Sequence, residues 1–460
     1  MRAVPALVIA CLLAGCAGPR PAPPQAAAVV PPGGWRDTAA SDRPIDAQWW
    51  TGYDDPALTA IVQRALDRNL DLAIAVSRVE EARAQFALAR GAQLPALSAS
   101  AAGGPQRAPN AFGIDTNQTA GQAQLSVSFD TDLFGRLRSA SAAARASLLA
   151  TRAARDTVRL AIASSAASGY LTLVALDARL QVLRDTLAAR DISLKLARRR
   201  ADAGYSPRLD LAQAEADYHA TEQLIPIALL AIRRQEDGLN LLLGDAPSPI
   251  ARGRPFVDLA IPTPGPSLPA ALLRRRPDIV SAEDQLVAAD HQLDSARAAF
   301  MPTFQLSAAG GVAASTLLPD PISIFSIGGS ILAPLFQGGR LQAQADTAAA
   351  RRDQAAFGYR RAALTAFREV EDAMADQQRY QEQQTALAAQ RTALAEQLRL
   401  ATNRYRAGYS PYLEQLDAQR GLLSADLALV QARLDRLTAS VRLYQALGGG
   451  WEASADTTAR

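Results

Sequence analysis

The chain has 460 residues, of which 49% are hydrophobic, 20% charged and 5% aromatic, and its formal net charge is +3. No stretch beyond the N-terminus approaches the roughly 18 consecutive apolar residues of a membrane-spanning helix, and the small charge indicates no nucleic-acid partner. With two histidines and two cysteines, the chain lacks the partners for a His-based triad or a zinc site. We therefore predict no enzyme, no catalytic or metal-binding residue and no cofactor, although carboxylate-only catalysis is not excluded by these counts.

The N-terminus has the form of a bacterial lipoprotein signal. An apolar run too short to span a bilayer ends in LAGC, which resembles the lipobox and places its cysteine at Cys16. We predict a signal peptide over residues 1–15 and a covalent lipid on Cys16; the alternative is an ordinary secretory signal that contains a cysteine. The residue after the predicted lipidated cysteine is Ala17. In such lipoproteins an aspartate at that position would indicate retention in the inner membrane, so its absence favours the outer membrane. Residues 16–48 are predicted to be a Pro/Ala-rich tether.

The rest of the chain contains a tandem duplication of one unit. The sequence AGYSP occurs at residues 203–207 and again at 407–411, and PALSASAAGG at 95–104 resembles PTFQLSAAGG at 302–311. A third pair, LFGRL and LFQGGRL, keeps the same order, which is typical of a duplicated unit of about 200 residues. The predicted parts are repeat 1 at 49–244, a Pro/Gly-rich linker at 245–268, repeat 2 at 269–448 and a C-terminal tail at 449–460.

Each repeat is predicted to contain a helix, two strands, a long helix and a returning helix, because proline and glycine interrupt the pattern at matching places. In repeat 1 the helix is 56–93, the strands are 95–104 and 120–131, the long helix is 136–203 and the return helix is 208–243. In repeat 2 the corresponding ranges are 269–299, 302–313 and 322–335, 340–407 and 412–447.

The strands alternate apolar and polar residues, most strictly in QLSVSFD at 124–130. A membrane barrel strand needs this alternation, with one face toward lipid and one toward a wet lumen, although a soluble half-buried sheet shows it too. Four strands are too few to close a barrel, since the smallest membrane barrels have about eight, and open edges are not tolerated in lipid. If the strands span a membrane, several chains must therefore share one barrel.

The long helices are too long for ordinary core helices, at about 100 Å. Leucines in repeat 1 recur at the spacing of a coiled-coil seam: Leu173, Leu176, Leu180, Leu183, Leu187 and Leu194. A plain coiled-coil rod is the alternative interpretation. At each AGYSP turn, Gly204 or Gly408 suits the left-handed position after a helix, and Pro207 or Pro411 suits the start of the next one.

These features together resemble the TolC-type outer-membrane efflux factors, in particular their NodT/OprM-like lipoprotein branch. The resemblance is carried by the Trp49-Trp50 pair, by LRRRPDI at 273–279, and by RAGYSPYL at 406–413 continuing into LDAQR at 416–420. It covers about residues 49–448. The motifs are specific as a set.

The resemblance implies a mainly α-helical fold with a small β part. Four strands from each chain of a homotrimer would form one 12-stranded barrel in the outer membrane, and the helical hairpins would continue it as an α-barrel into the periplasm. Such proteins are passive exit ducts for small toxic compounds. Their partners are a periplasmic adaptor and an inner-membrane transporter of the resistance-nodulation-division class.

The resemblance also implies functional positions near the second hairpin tip. Leu413 and Asp417 match a hydrophobic and an acidic ring that close the periplasmic end, and Tyr405 matches a residue of the tip hydrogen-bond network. Glu414 could add a second acidic ring, whereas repeat 1 has Leu209 and Gln213 at the places equivalent to Leu413 and Asp417. The adaptor-docking tips would be Gly204, Tyr205, Ser206, Pro207, Gly408, Tyr409, Ser410 and Pro411. The structural alternative is that Asp417 is simply a solvated helix residue and that the tips are ordinary turns.

Two other functions remain open on the sequence alone. The same duct could serve type I secretion of proteins or peptides, and a structural lipoprotein coiled coil could have no pore at all. The adjacent genes would separate the first of these from drug efflux.

Overall fold

A computed structural model of the chain describes residues 20–36, 45–109, 112–265 and 268–451. The predicted signal peptide, Cys16 and residues 452–460 lie outside this described part. The elements, in chain order, are α1 (Pro56–Arg68), α2 (Leu70–Gly91), β1 (Ala96–Pro109), β2 (Asp115–Asp130), α3 (Arg136–Asp202), α4 (Arg208–Glu222), α5 (Leu224–Leu242), α6 (Pro269–Arg275), α7 (Pro277–Ala298), β3 (Thr303–Ser315), β4 (Ile322–Leu332), α8 (Arg340–Arg406) and α9 (Tyr412–Ala446). The expected fold class, mainly helical with a small antiparallel sheet, is confirmed.

Two helices that we predicted as continuous at the start of the repeats are each broken. In repeat 1 the break is at Asn69, whose backbone is extended and whose Oδ1 accepts a 3.0 Å hydrogen bond from the Leu72 N–H as the cap of α2. In repeat 2 the break is at Arg276, because Pro277 disfavours a helical conformation of the residue before it.

The return helix of repeat 1, expected over 208–243, divides at Gln223 into α4 and α5. Pro226 explains the break, since it has no N–H to donate to the carbonyl of Glu222. The equivalent helix of repeat 2, α9, has no proline inside it and runs unbroken for 35 residues.

The strands form one antiparallel sheet in the order β1-β2-β3-β4, in which β2 of repeat 1 pairs with β3 of repeat 2. Strand β1 is longer than predicted and continues through Pro105, which an edge strand tolerates because a proline N there need not donate. Strand β4 ends at Leu332, three residues before the predicted end, and Pro334 follows it.

The spatial division of the chain does not follow the repeats. One compact unit contains Ser77–Ala153 and Val280–Ala362 with the N-terminal residues up to Val29, and the second contains Val30–Val76, Ala154–Ile279 and the residues from Ala363 onward. Each unit therefore combines segments of both repeats.

Each unit has its own hydrophobic core. The larger core, in the second unit, is built around Trp49, Tyr53 and Tyr170. Within α3 one stretch reaches a mean hydropathy of 1.4, long and apolar enough by composition to cross a membrane, but 56% of it is buried inside the chain, as in the core helix of a soluble protein.

Candidate functional site

The sheet has one continuous apolar face, because the strand register brings apolar residues of all four strands into phase. Leu125 pairs with Gly310, and Gly310 pairs with Phe325; Val127 and Ala308 align with Ile327 in the same way. Directly paired residues share a face of a sheet. The apolar face carries Leu97, Leu125, Val127, Phe129, Phe304, Leu306, Val312, Phe325, Ile327 and Ile331. Phe325 is 86% exposed and Ile327 84%, so this face lacks a cover within the described chain.

The opposite face of the sheet is polar and consists largely of hydroxyl and amide side chains. Its members include Ser98, Ser100, Gln118, Gln122, Gln124, Ser126, Ser128, Gln305, Ser307, Ser326 and Ser330. Ser98 Oγ lies 2.8 Å from Ser126 Oγ, and Ser315 Oγ donates to Gln118 Oε1 at 2.9 Å. A sheet with one large exposed apolar face and one wet face is typical of a membrane barrel wall.

Both hairpin tips have the same backbone structure. Gly204 and Gly408 have φ of +75° and +80°, the left-handed conformation in which glycine ends a helix without a Cβ clash. In the first tip the Tyr205 N–H donates to the Arg200 carbonyl at 2.8 Å, and the Tyr409 N–H makes the equivalent bond in the second. The two tyrosine side chains are 86% and 81% exposed, so each tip presents an aromatic ring to solvent.

Arg200 joins the first tip to the second. Its guanidinium donates to the backbone carbonyls of Tyr405 and Arg406, both at 2.7 Å, and lies 4.8 Å from the Tyr405 ring centre. These carbonyls are in the last turn of α8, where helix carbonyls lack intrahelical donors. Arg200 therefore caps the end of the second long helix.

Tyr405 itself is buried beneath this contact. Its ring meets that of Tyr412 edge-on at 5.3 Å, and each residue is 1% exposed. Burial raises the pKa of the Tyr405 hydroxyl and raises the pKa of Tyr412 to about 12. Tyr405 is thus a packed residue of the tip.

Leu413 and Asp417 lie together on the exposed face of α9, four residues apart. Leu413 is 50% exposed, and Asp417 makes no side-chain hydrogen bond or ion pair with any residue in the described part of the chain. Glu414 pairs instead with Arg404 at 3.6 Å. In repeat 1, the equivalent Leu209 is 64% exposed.

A buried charge cluster between the two hairpins was missed by our reading of the sequence. Asp217 of α4 is 2% exposed; its carboxylate lies 2.9 Å from Arg190 of α3 and 3.1 Å from Arg420 of α9. Arg190 also donates to the Asp217 carbonyl and to Thr221 Oγ1, and burial lowers its pKa against the opposing effect of the Asp217 charge. A sequence signal existed, since Arg190 occupies the one gap in the leucine seam, between Leu187 and Leu194.

Further polar contacts hold α9 against α3 near this cluster. Ser193 Oγ accepts hydrogen bonds from the side-chain amides of Gln415 and Gln419, each at 3.1 Å. Asp210 of α4 is 8% exposed, and burial raises the pKa of its carboxyl in spite of the nearby Arg200. Two glutamines of α9 and a serine of α3 are therefore committed to the contact between these helices.

Taken together, the two-faced sheet and the paired helical hairpins define the class of this protein as an outer-membrane channel subunit. The family described as outer membrane efflux protein matches residues 61–245 and 268–449. The chain belongs to this family, and it is an outer-membrane protein.

Individual relatives agree with this assignment. The chain is 35% identical to the pyoverdine export outer membrane protein OpmQ of Pseudomonas aeruginosa over 99% of its own length and 98% of that protein. It is 34% identical to the solvent efflux pump outer membrane protein SrpC of Pseudomonas putida over 89% and 94% of the two chains. The open-state structure of the MtrE outer membrane channel of Neisseria gonorrhoeae superposes with a TM-score of 0.83 at 28% identity, covering 94% and 98%.

Proposed function

We propose that the protein is a homotrimeric, passive exit duct through which a tripartite pump moves small toxic compounds across the outer membrane. The observation that carries the proposal is the open sheet with one apolar and one polar face. Strands β1 and β4 are its edges, each paired on one side only within the described chain. An unpaired strand edge is not tolerated in lipid, so the edges must meet those of other copies.

The number of strands favours three copies over two. Two sheets would give eight strands, a barrel whose interior is just wide enough for its own side chains to fill. Three sheets give twelve strands and leave room for an aqueous path lined by the serines and glutamines of the polar face. The trimer that the family resemblance implies is therefore the smallest assembly that both closes the sheet and conducts.

In this proposal the hairpins continue the duct, and their tips are its periplasmic end. Three copies of Leu413 and Asp417 would form a hydrophobic and an acidic constriction, supported by the exposure of both residues on one face of α9. The exposed tip tyrosines, Tyr205 and Tyr409, suit docking of a periplasmic adaptor. A resistance-nodulation-division transporter in the inner membrane would supply the energy.

The cargo class rests on the relatives, whose names record export of pyoverdine and efflux of solvents. Neither is a protein, which favours small compounds over type I secretion. A rod without a pore does not account for the exposed apolar face of the sheet. We further propose that Cys16 carries the lipid anchor that holds each copy in the outer membrane.

Disulfide cross-linking between the sheet edges tests the assembly. Cys11 and Cys16 are the only native cysteines, and the proposed signal cleavage and acylation leave no free thiol. Cysteines placed on β1 (Ser98 or Ser100) and on β4 (Ser326 or Ser330) should give a covalent ladder up to trimer in one combination. Each single variant should stay monomeric under denaturing conditions. A cross-link within one chain in every combination would overturn the trimer.

Transport is tested in a strain that lacks this protein but retains its transporter and adaptor. Loss should raise intracellular accumulation of at least one dye or drug several-fold, and the wild-type gene should restore export. Unchanged accumulation of every compound tested would contradict the efflux function.

A further inference from the structure

The chain from Arg20 to Ala28, which begins four residues after the proposed lipidation position, is bound to helices instead of forming a free tether. The described segment Arg20–Ala28, here called the strap, contacts only helices of the first compact unit through its ion pairs and side-chain hydrogen bonds. Within the tether predicted over 16–48, residues 20–28 are therefore held against helices and are not a free linker.

Arg352 of α8 is the centre of this contact. It is 1% exposed, the largest fully buried side chain in the described chain, and its guanidinium donates to the carbonyls of Pro21 at 2.6 Å and Ala22 at 3.1 Å. Asp353 accepts two further bonds from it, at 2.7 and 3.0 Å. A buried charge is costly unless it is paired and hydrogen-bonded, and here two of its partners are strap carbonyls.

A second arginine fixes the direction of the strap. Arg360 donates to the carbonyl of Ala26, eight residues along α8 from Arg352, while the strap advances from Ala22 to Ala26. Eight helical residues span about 12 Å, and the strap, extended as far as Pro24 and then in a 3-10 turn at Gln25–Ala27, covers about 11 Å from Ala22 to Ala26. The strap therefore runs alongside α8 in the same direction, and its Arg20 end points toward the start of α8.

Arg20 gives the same direction independently. Its guanidinium pairs with Asp290 at 3.1 Å and Asp294 at 3.2 Å, near the C-terminal end of α7. Helix α7 ends at Ala298, five residues before β3, and α8 begins eight residues after β4. Both helix ends toward which the strap points are thus the ends adjacent to the sheet.

The remaining chain length matches the distance to be covered. Five residues separate Cys16 from Pro21 and span at most about 17 Å. Twelve residues separate Arg352 from Arg340 at the start of α8, about 18 Å along the helix. The chain upstream of the clamp is just long enough for Cys16 to reach the level at which α8 begins.

We infer that Arg352 and Arg360 form a clamp that binds the strap and sets the position of the acyl anchor against the membrane surface at the base of the β3–β4 hairpin. The inference rests on the proposed lipidation of Cys16. A short tether holds the strands at a high effective concentration near the bilayer, which speeds their insertion and the formation of the trimer.

Tether length makes the test quantitative. Ten Gly/Ser residues inserted between Pro19 and Arg20 lengthen the free tether threefold and leave the clamp intact. Effective concentration falls as about the −3/2 power of length, so trimer formation in a pulse-chase experiment should slow about fivefold. The triple variant Arg20→Gln/Arg352→Gln/Arg360→Gln also removes the Arg20 ion pairs. It frees the chain as far as the buried Trp35 and should slow trimer formation about sevenfold. When both changes are combined, the slowing should be smaller than the product of the two separate effects, because both act by lengthening the same free tether.

Matched controls separate the anchor from the fold. In a Cys16→Ser protein exported by an ordinary signal peptide, assembly should be slow and the Gly/Ser insertion should change nothing further. Equal slowing by the insertion with and without the lipid would overturn the inference, as would wild-type assembly of the lipidated insertion variant. Metabolic labelling with palmitate checks the underlying lipidation separately: an unlabelled wild-type protein would refute the lipid anchor itself.

Discussion

The guanidinium of Arg190 and the carboxylate of Asp217 lie 2.9 Å apart, and the two side chains are 4% and 2% exposed. Arg420, from the other repeat, completes the cluster at 3.1 Å from the same carboxylate. Removing one partner of a buried pair leaves an uncompensated charge and costs about 3–5 kcal/mol. The pair therefore holds α3 against α4 within the first hairpin at a high cost of disruption, and Arg420 links it to α9.

Asp217→Asn should destabilise the helical hairpins by about 3 kcal/mol, because Arg190 is left buried beside a neutral group. Thermal melting of the purified protein, followed by circular dichroism, measures the effect. Asp417→Asn is the control, since that acid is exposed and should leave the melting temperature unchanged. If Asp217→Asn melts like the wild type, the pair contributes nothing to stability.

Arg200→Ala should loosen the contact between the two tips at a cost of about 1–2 kcal/mol, because the Arg406 carbonyl loses the Arg200 donor and the Tyr405 carbonyl keeps only the Gly408 N–H. In a duct that is closed at its tips, this should raise the open probability in planar bilayers about tenfold. Arg404→Ala is the matched control, because Arg404 forms only a 3.6 Å exposed pair with Glu414. Equal effects of the two variants would contradict a special role for Arg200.

Asp417→Asn should reduce cation selectivity, because it removes the acidic ring that three copies would form. The reversal potential in a salt gradient measures this. Gln213→Glu, at the equivalent place in repeat 1, should act in the opposite direction by adding a ring. An unchanged reversal potential in both variants would show that selectivity is determined elsewhere.

The Asp210 carboxyl should make stability depend on pH. Burial raises its folded-state pKa above the usual 3.8, so folding favours the protonated form. The stability gained from the protonated Asp210 carboxyl is fully present below pH 3.8 and is lost as the pH rises through the raised pKa. Asp210→Asn should therefore be more stable than the wild type at neutral pH, but not at pH 3. Urea unfolding at both values tests this, and a difference that is the same at both would contradict it.

Adjacent residues on β4 test the assignment of the two faces. Ile327→Arg puts a charge on the apolar face and should cost about 2–4 kcal/mol in lipid, so heat-resistant trimers should be lost from the outer membrane. Ser326→Arg, one residue away on the polar face, should assemble normally. Equal tolerance of both substitutions would contradict a lipid-facing apolar side.

Much of the fold follows from local signals. The AGYSP turns predict the ends of both long helices, since glycine takes the left-handed conformation at Gly204 and Gly408 as expected. Two of the missed helix breaks, at Pro226 and Pro277, were also readable, because each proline removes a donor or restricts the residue before it. The break at Asn69 was not, because it depends in part on a 2.8 Å bond from its amide to the distant carbonyl of Leu242.

By itself, the sequence determined the duplicated unit, the helical hairpins and the alternation of the strands, since each depends on residues a few positions apart. The family resemblance added Leu413 and Asp417, and the structure exposes both on one helix face. Only the tertiary structure decided that β2 lies beside β3, that Asp217 meets Arg190 and Arg420, and that Arg352 is buried under the strap. Those contacts join residues tens to hundreds of positions apart, and no local preference selects one partner over another. Tertiary packing determines these contacts, because a charged group that becomes buried must be paired or hydrogen-bonded.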